Sequence, residues 1–320
     1  MGITKNRQSE KVICQMAKAA FPDKQIKNIS ELTDGMCNAA YLIQFKDGKD
    51  SILKIAAKDN KGFMSNEINM MQAEVEAMRI IKQHSFVKAA EVQYFDTSRT
   101  LCSGEYFFME ALEGRSFFSV KEDMTEKEQK AVHYEIGQIE REITSIKGEQ
   151  FGLLGDAGHR FEQLYDFVFY LMNNILSDAE QKQVAIGVEK KKILECLCRQ
   201  RSVFDLVAEP VFVHWDMWEG NIFIKDGHIS GIIDWERALW GEAFMDDRFR
   251  EHNRTQEFLK GYGKEKFNEE EMCRIYWYDI FLYLTMMTEG AYRQYEDDSQ
   301  YRWVKPLFEA SWEKVQKWGQ

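Results

Sequence analysis

The sequence predicts an α+β protein in two parts: a small antiparallel sheet with one long helix, then a larger, mainly helical region. Three observations carry this. Apolar runs at 41–45 and 51–55 flank Lys46-Asp47-Gly48-Lys49, an Asp-Gly hairpin signal because glycine accepts the positive φ of the turn. Helix-entry patterns of the form Thr/Ser/Asn-x-x-Glu recur beyond residue 120. Charge divides along the same line: residues 1–115 hold 16 basic and 15 acidic side chains, whereas residues 116–320 hold 26 and 38, so the chain's net −11 lies in the second part.

In chain order, Tyr41–Phe45 and Ser51–Ile55 read as the hairpin strands, Ser65–Gln83 as a helix, and Val92–Phe95 and Glu105–Glu110 as further strands. In the second part Thr125-x-x-Glu128, Ser177-x-x-Glu180 and Asn268-x-x-Glu271 mark helix starts, where the first side chain accepts from an orphan N–H and the glutamate reaches back. One strand pair, Asn221–Lys225 and His228–Asp234, interrupts the helices at Asp226-Gly227. With three prolines and no Gly/Ser-rich tract, the boundary between the parts is a short connection, placed so that residues 1–110 and 111–320 form the two units.

Composition excludes several classes. With 320 residues, 44% of them apolar, the chain can bury a real core. Its acidity disfavours nucleic acid, whose phosphates are held by Lys and Arg. Met1–Ser9 is polar, and the apolar run 275–287 carries Asp279 and is too short to span a bilayer, so no membrane association and a cytoplasmic location are expected, as a monomer or weak dimer. The six cysteines are scattered without a C-x-x-C pair, as expected of reduced thiols; Cys196-x-Cys198 lacks the second ligand pair of a structural zinc site.

The chemistry clusters around the second hairpin. His214-Trp215-Asp216-Met217-Trp218-Glu219-Gly220-Asn221 has H-x-D-x-x-x-x-N spacing, and the far strand delivers Ile232-Ile233-Asp234, so Asp216, Asn221 and Asp234 can converge. Phosphoryl transfer needs a base for the incoming hydroxyl and hard oxygen ligands for Mg²⁺, which two aspartates and an asparagine supply. A metal-dependent phosphohydrolase using His214, Asp216 and Asp234 as ligands is a rival reading of the same residues.

These motifs, Val213-His214-Trp215-Asp216…Gly220-Asn221-Ile222 and Gly231-Ile232-Ile233-Asp234-Trp235-Glu236, resemble the aminoglycoside phosphotransferase and choline kinase superfamily, small-molecule relatives of protein kinases. The resemblance implies a protein-kinase-like two-lobed fold with Asp216 as catalytic base, His214 holding the loop, and Asn221 and Asp234 as Mg²⁺ ligands. For the nucleotide, ATP or GTP, it implies Lys54 at the phosphates, fixed by a helix glutamate; Glu67 and Glu74 share a face two turns apart and either can reach, with Glu74 the better match to the family pattern. Gly35 and Asn38 lie in a phosphate-covering segment, Thr33–Asn38, that has one glycine where a G-x-G-x-x-G loop would have three. The resemblance also places Glu110 to Leu112 at the interlobe hinge, beside the purine. Trp215 replaces the glycine of the family's H-G-D motif.

The acceptor is expected to be a small molecule, since the chain has no A-P-E and passes from Gly241 to Asp246 into helical sequence without a peptide-docking segment. The acidic second part favours a cationic, amine-bearing acceptor such as an aminoglycoside. Choline or a ketosamine is the alternative, the latter because Trp218 matches a tryptophan of ketosamine kinases. A nucleotide-binding module without turnover is the non-enzyme alternative. Candidate acceptor contacts are Glu236, Asp246, Trp218 and Glu289.

Overall fold

The computed structural model describes residues 4–33, 35, 38–84 and 87–318. Among these, helix α1 (Glu10–Ala20) precedes strands β1 (Ile26–Leu32), β2 (Ala39–Phe45) and β3 (Ser51–Ile55), helix α2 (Met70–His84), and strands β4 (Val92–Asp96) and β5 (Tyr106–Glu110). The five strands form one antiparallel sheet in the order β1-β2-β3-β5-β4. The sheet has its own apolar core, in which Ile43, Leu53, Ile55, Tyr106 and Phe108 pack against Ile13 and Met16 of α1. Neither α1 nor β1 was expected from the sequence.

The remainder is mainly helical, as expected: β6 (Arg115–Ser116), α3 (Phe117–Val120), α4 (Glu126–Ile143), β7 (Gly152–Leu153), α5 (Leu164–Gln181), α6 (Lys190–Arg199) and α7 (Arg201–Phe204). Then follow β8 (Val211–Val213), β9 (Ile222–Lys225), β10 (His228–Ile232), β11 (Leu239–Gly241), α8 (Gln256–Tyr262), α9 (Glu269–Arg293) and α10 (Ser299–Lys317). β9 and β10 pair antiparallel through Asp226 and Gly227, both at positive φ, 53° and 81°, the backbone that a two-residue Asp-Gly turn requires.

Capping boxes are present at Thr125/Glu128 and Asn268/Glu271. Ser177 starts no helix; it lies inside α5 with its hydroxyl donating to Asn173 O at 2.8 Å. α2 also starts five residues later than expected. Residues 64–69 instead form a strap laid on the helical part, and Asn69 at φ 47° breaks the helical path. The strap is fastened by Asp178 of α5, which accepts from Ser65 N–H (2.7 Å) and Oγ–H (2.6 Å). Asn66 donates to Leu171 O (3.0 Å) and Asn69 to Gly155 O (3.0 Å). Its polar atoms are satisfied by tertiary partners in place of helical ones.

Candidate active site

Lys54 sits mid-strand in β3, paired between Ala40 and Phe107, with its side chain 9% exposed. Its ammonium lies 2.5 Å from the fully buried Glu74 of α2 and also pairs with Asp234. Glu67 does not reach it; that residue belongs to the strap. Burial works against the Lys54 charge, yet Asp234, Glu74 and Glu236 together hold it above the ordinary lysine range. Burial pushes Glu74 up to about 8, opposed by Lys54 and reinforced by Asp234 and Glu236.

Strand β8 delivers the loop 214–221. His214 is fully buried; Nε2–H donates to Ile233 O at 2.9 Å and Nδ1 accepts from Asp216 N–H at 3.3 Å. One nitrogen donating and one accepting defines a neutral imidazole, and burial lowers its pKa to about 4. With both nitrogens committed to backbone, His214 is not a metal ligand, which removes the phosphohydrolase ligand set. Trp215 takes φ 75°, the left-handed region open to the glycine of the H-G-D motif and costly for a bulky residue. Its carbonyl accepts from Asp247 N–H (3.1 Å), and its ring packs on Phe281 (6.0 Å) under the Arg237 guanidinium (5.3 Å).

Asn221 ties the site together. Its Nδ2–H donates to Asp216 O (2.9 Å) and its carbonyl accepts from Ile233 N–H (3.0 Å), joining the loop to the segment carrying Asp234. Because the amide N–H is spent on the loop, Oδ1 is the Asn221 atom a cation would take. Asp234, at φ 60°, turns its carboxylate toward Lys54, and its side chain remains 36% exposed. These hard oxygens suit Mg²⁺ better than a softer metal. No cluster of three His, Cys, Asp or Glu able to hold a metal occurs among the described residues, so water and phosphate oxygens would supply the rest of the shell. Burial raises the Asp216 carboxyl well above its ordinary value; Arg237 opposes this, while Asp247, Asp234 and Glu236 add to it.

Other expected contacts are distributed differently. Asn38 donates to Glu236 Oε2 at 3.0 Å, linking the two parts across the site. Gly35 is exposed, while Asp34, Met36 and Cys37 of the same segment lie outside the described residues. At the hinge the N–H groups of Glu110 and Ala111 donate to Glu91 O and Asp50 O, so neither is available to a purine, and Leu112 packs against Gly231.

Two acceptor candidates already have partners within the chain. Asp246 is fully buried and caps a one-turn helix by accepting from Arg248 N–H (3.0 Å). Glu289 is bound to Arg237 (3.1 Å) and Arg293 (3.0 Å). Trp218 is 43% exposed and faces Phe118, with ring centroids 5.6 Å apart. Sequence reasoning missed Arg237, Arg293 and the strap, because nothing local distinguishes those residues from solvated charges.

A five-stranded sheet with its helix, facing a helical part across a lysine-aspartate pair, defines a kinase-like α+β fold. The chain belongs to the phosphotransferase enzyme family (APH), whose model matches residues 28–246. It is similar in structure to a putative fructosamine-3-kinase from Haemophilus somnus (TM-score 0.70, 17% identity, 94% of this chain and 97% of that one). It is also similar to a thermostable mutant of an aminoglycoside phosphotransferase in complex with ADP and hygromycin B (TM-score 0.66, 16% identity, 96% and 98% covered). In sequence it is 20% identical over 224 residues to a probable acyl-CoA dehydrogenase of Arabidopsis thaliana; the match takes in 68% of this chain and spans 27% of that protein. No described helix is long and apolar enough to cross a membrane.

Proposed function

We propose that the protein transfers the γ-phosphoryl group of ATP or GTP to a hydroxyl of a small molecule, residues 1–110 holding the nucleotide and 111–320 the acceptor. The observation that carries this is Lys54 placed between Glu74 and Asp234, beside a loop in which Asn221 binds the Asp216 backbone. Lys54 binds nucleotide phosphates, oriented by Glu74. Asn221 Oδ1 and the Asp234 carboxylate would hold Mg²⁺, which when bound neutralises charge on the phosphates. Asp216 accepts the hydroxyl proton as the acceptor oxygen bonds to the γ-phosphorus and the bond from phosphorus to the β,γ-bridging oxygen breaks, releasing the nucleoside diphosphate. Neutral His214 holds the loop through its two backbone hydrogen bonds.

An amine-bearing acceptor is the reading suggested by the acidic second part and by the hygromycin B and streptomycin bound to relatives. The test is coupled diphosphate release by the purified chain with ATP and with GTP over a panel of hydroxylated amines, sugars and simple alcohols. Metal-dependent release that disappears in Asp216→Ala supports the transfer reading. Nucleotide binding without release, equal in wild type and variant, points to a binding module.

A further inference from the structure

Arg237 has no part in the transfer described above, yet it is anchored from two sides. Its Nη2 donates to Glu67 of the strap (2.7 Å) and to Glu289 of α9 (3.1 Å). Both glutamates also bind the fully buried Arg293, at 2.5 Å and 3.0 Å, and Glu67 accepts from Met64 N–H (2.9 Å) as well. Two arginines and two glutamates thus form a cluster of zero net charge, in which Glu67 is 3% and Glu289 15% exposed. Bridging two carboxylates with charge-assisted hydrogen bonds fixes where the guanidinium sits.

What the guanidinium covers is the ring of Trp215, 5.3 Å from its centroid; the same ring packs edge-on against Phe281 at 6.0 Å. Trp215 is buried and takes φ 75°, where a bulky residue stays only if its surroundings over-determine it. Two backbone hydrogen bonds go with that turn: Trp215 O accepts from Asp247 N–H (3.1 Å), and Asp216 N–H donates to His214 Nδ1 (3.3 Å). Asp216, the proposed base, is the next residue, so a return of Trp215 to an ordinary φ would rotate the peptide that carries it. Glycine would hold that φ unaided, whereas tryptophan needs its ring held in place.

We propose that Arg237 is a positioning residue for phosphoryl transfer: fixed by Glu67 and Glu289, it clamps the Trp215 ring and thereby keeps residue 215 in the left-handed turn that presents Asp216. This rests on the phosphotransferase reading above. A cation over an indole face is attractive, the more so where both are largely out of water, and Arg237 is 17% exposed. The clamp sets the fraction of molecules whose loop is competent, so its loss lowers kcat and leaves the phosphate contact of Lys54 in place. Glu67 lies seven residues before Glu74, so the chain segment that orients Lys54 at one end fixes the clamp at the other.

The test is a double-mutant cycle on diphosphate release by the full chain with ATP and Mg²⁺, with water as acceptor and again with any panel compound that accelerates release. Arg237→Met should lower kcat roughly tenfold, equivalent to about 1.4 kcal/mol and the scale of a largely desolvated cation–ring contact, with the KM for ATP within about threefold of wild type. Arg237→Lys, which keeps a cation over the ring, should fall between the two. In a Trp215→Gly background, Arg237→Met should lower kcat by less than about twofold, because glycine needs no clamp. Arg237→Met leaves two glutamates sharing one arginine, so Arg237→Met/Glu289→Gln restores neutrality to the cluster; it should lose as much kcat as Arg237→Met alone. Equal losses in the two backgrounds, a KM for ATP raised as far as kcat falls, or wild-type kcat in the charge-balanced variant overturns the clamp and leaves phosphoryl transfer standing. Absence of metal-dependent release by the wild type in every mixture overturns the phosphotransferase reading, and the proposal with it.

Discussion

Lys54 and Asp234, 180 residues apart in the chain, form an ion pair that joins the sheet to the helical part at the centre of the site. The same ammonium holds Glu74, so one cation serves two carboxylates, one of them fully buried. Lys54→Met should therefore strand Glu74 and remove the phosphate contact together. The expected outcome is a raised nucleotide KM and a fall in kcat of roughly 10²-fold, the scale of losing a positioned charge at a developing anion. Steady-state kinetics with varied ATP check it; an unchanged KM would remove Lys54 from the phosphates.

Asp216→Asn keeps the side-chain shape and the Asn221 hydrogen bond to the 216 carbonyl, while abolishing the proton acceptor. Turnover should drop by about 10²–10⁴-fold, with nucleotide affinity within a few-fold of wild type. Fluorescence titration of nucleotide alongside diphosphate release separates the two quantities.

His214 contributes a defined pH dependence of stability. Its folded pKa is near 4 and its ordinary value is 6.5, so the unfolded chain takes up the proton first as pH falls. The stabilisation is present above pH 6.5, is lost progressively toward pH 4, and amounts to about 3 kcal/mol over that window. Glu74, with its pKa raised, acts in the opposite sense, losing stability as pH rises from 4.5 toward 8. Thermal melts of wild type and His214→Asn between pH 4 and 7 should show a flatter curve for the variant.

Trp215 occupies a backbone conformation that costs a bulky residue about 1–3 kcal/mol. Trp215→Gly should relieve that cost while losing a buried indole worth about 3–5 kcal/mol, for a net destabilisation centred on about 2 kcal/mol and at most about 4 kcal/mol by denaturant titration. Because glycine adopts the same φ and the 215 carbonyl keeps its bond from Asp247, the loop retains its shape, and diphosphate release should stay within an order of magnitude of wild type.

Helices α4 and α8 cross at Gly137 and Gly261, where a Cβ on either would run into a carbonyl of the other helix, that of Phe258 or of Tyr134. Gly137→Ala and Gly261→Ala should each cost about 2–3 kcal/mol through forced separation of the helices, visible as a lowered Tm.

The sequence by itself determined what local chemistry can encode. The Asp-Gly turns state their hairpins because few residues accept positive φ at that position. Thr125/Glu128 and Asn268/Glu271 state their helix starts because the capping partners are three residues apart. The spacing from His214 to Asp234 brought Asp216, Asn221 and Asp234 together because a tight hairpin closes its own ends.

What only the tertiary structure decided depends on partners far away in the chain. Ser177-x-x-Glu180 has the letters of a cap and lies inside a helix. Residues 65–69 have helical periodicity, yet they leave the helix to bond Asp178, Leu171 and Gly155. Glu67 and Glu289 resemble free carboxylates until Arg237 and Arg293 are seen to neutralise them. The physical reason is the range of the interaction: turns and caps are settled within a few residues, whereas the charge a site presents is a sum over groups that only the folded chain brings within hydrogen-bonding distance.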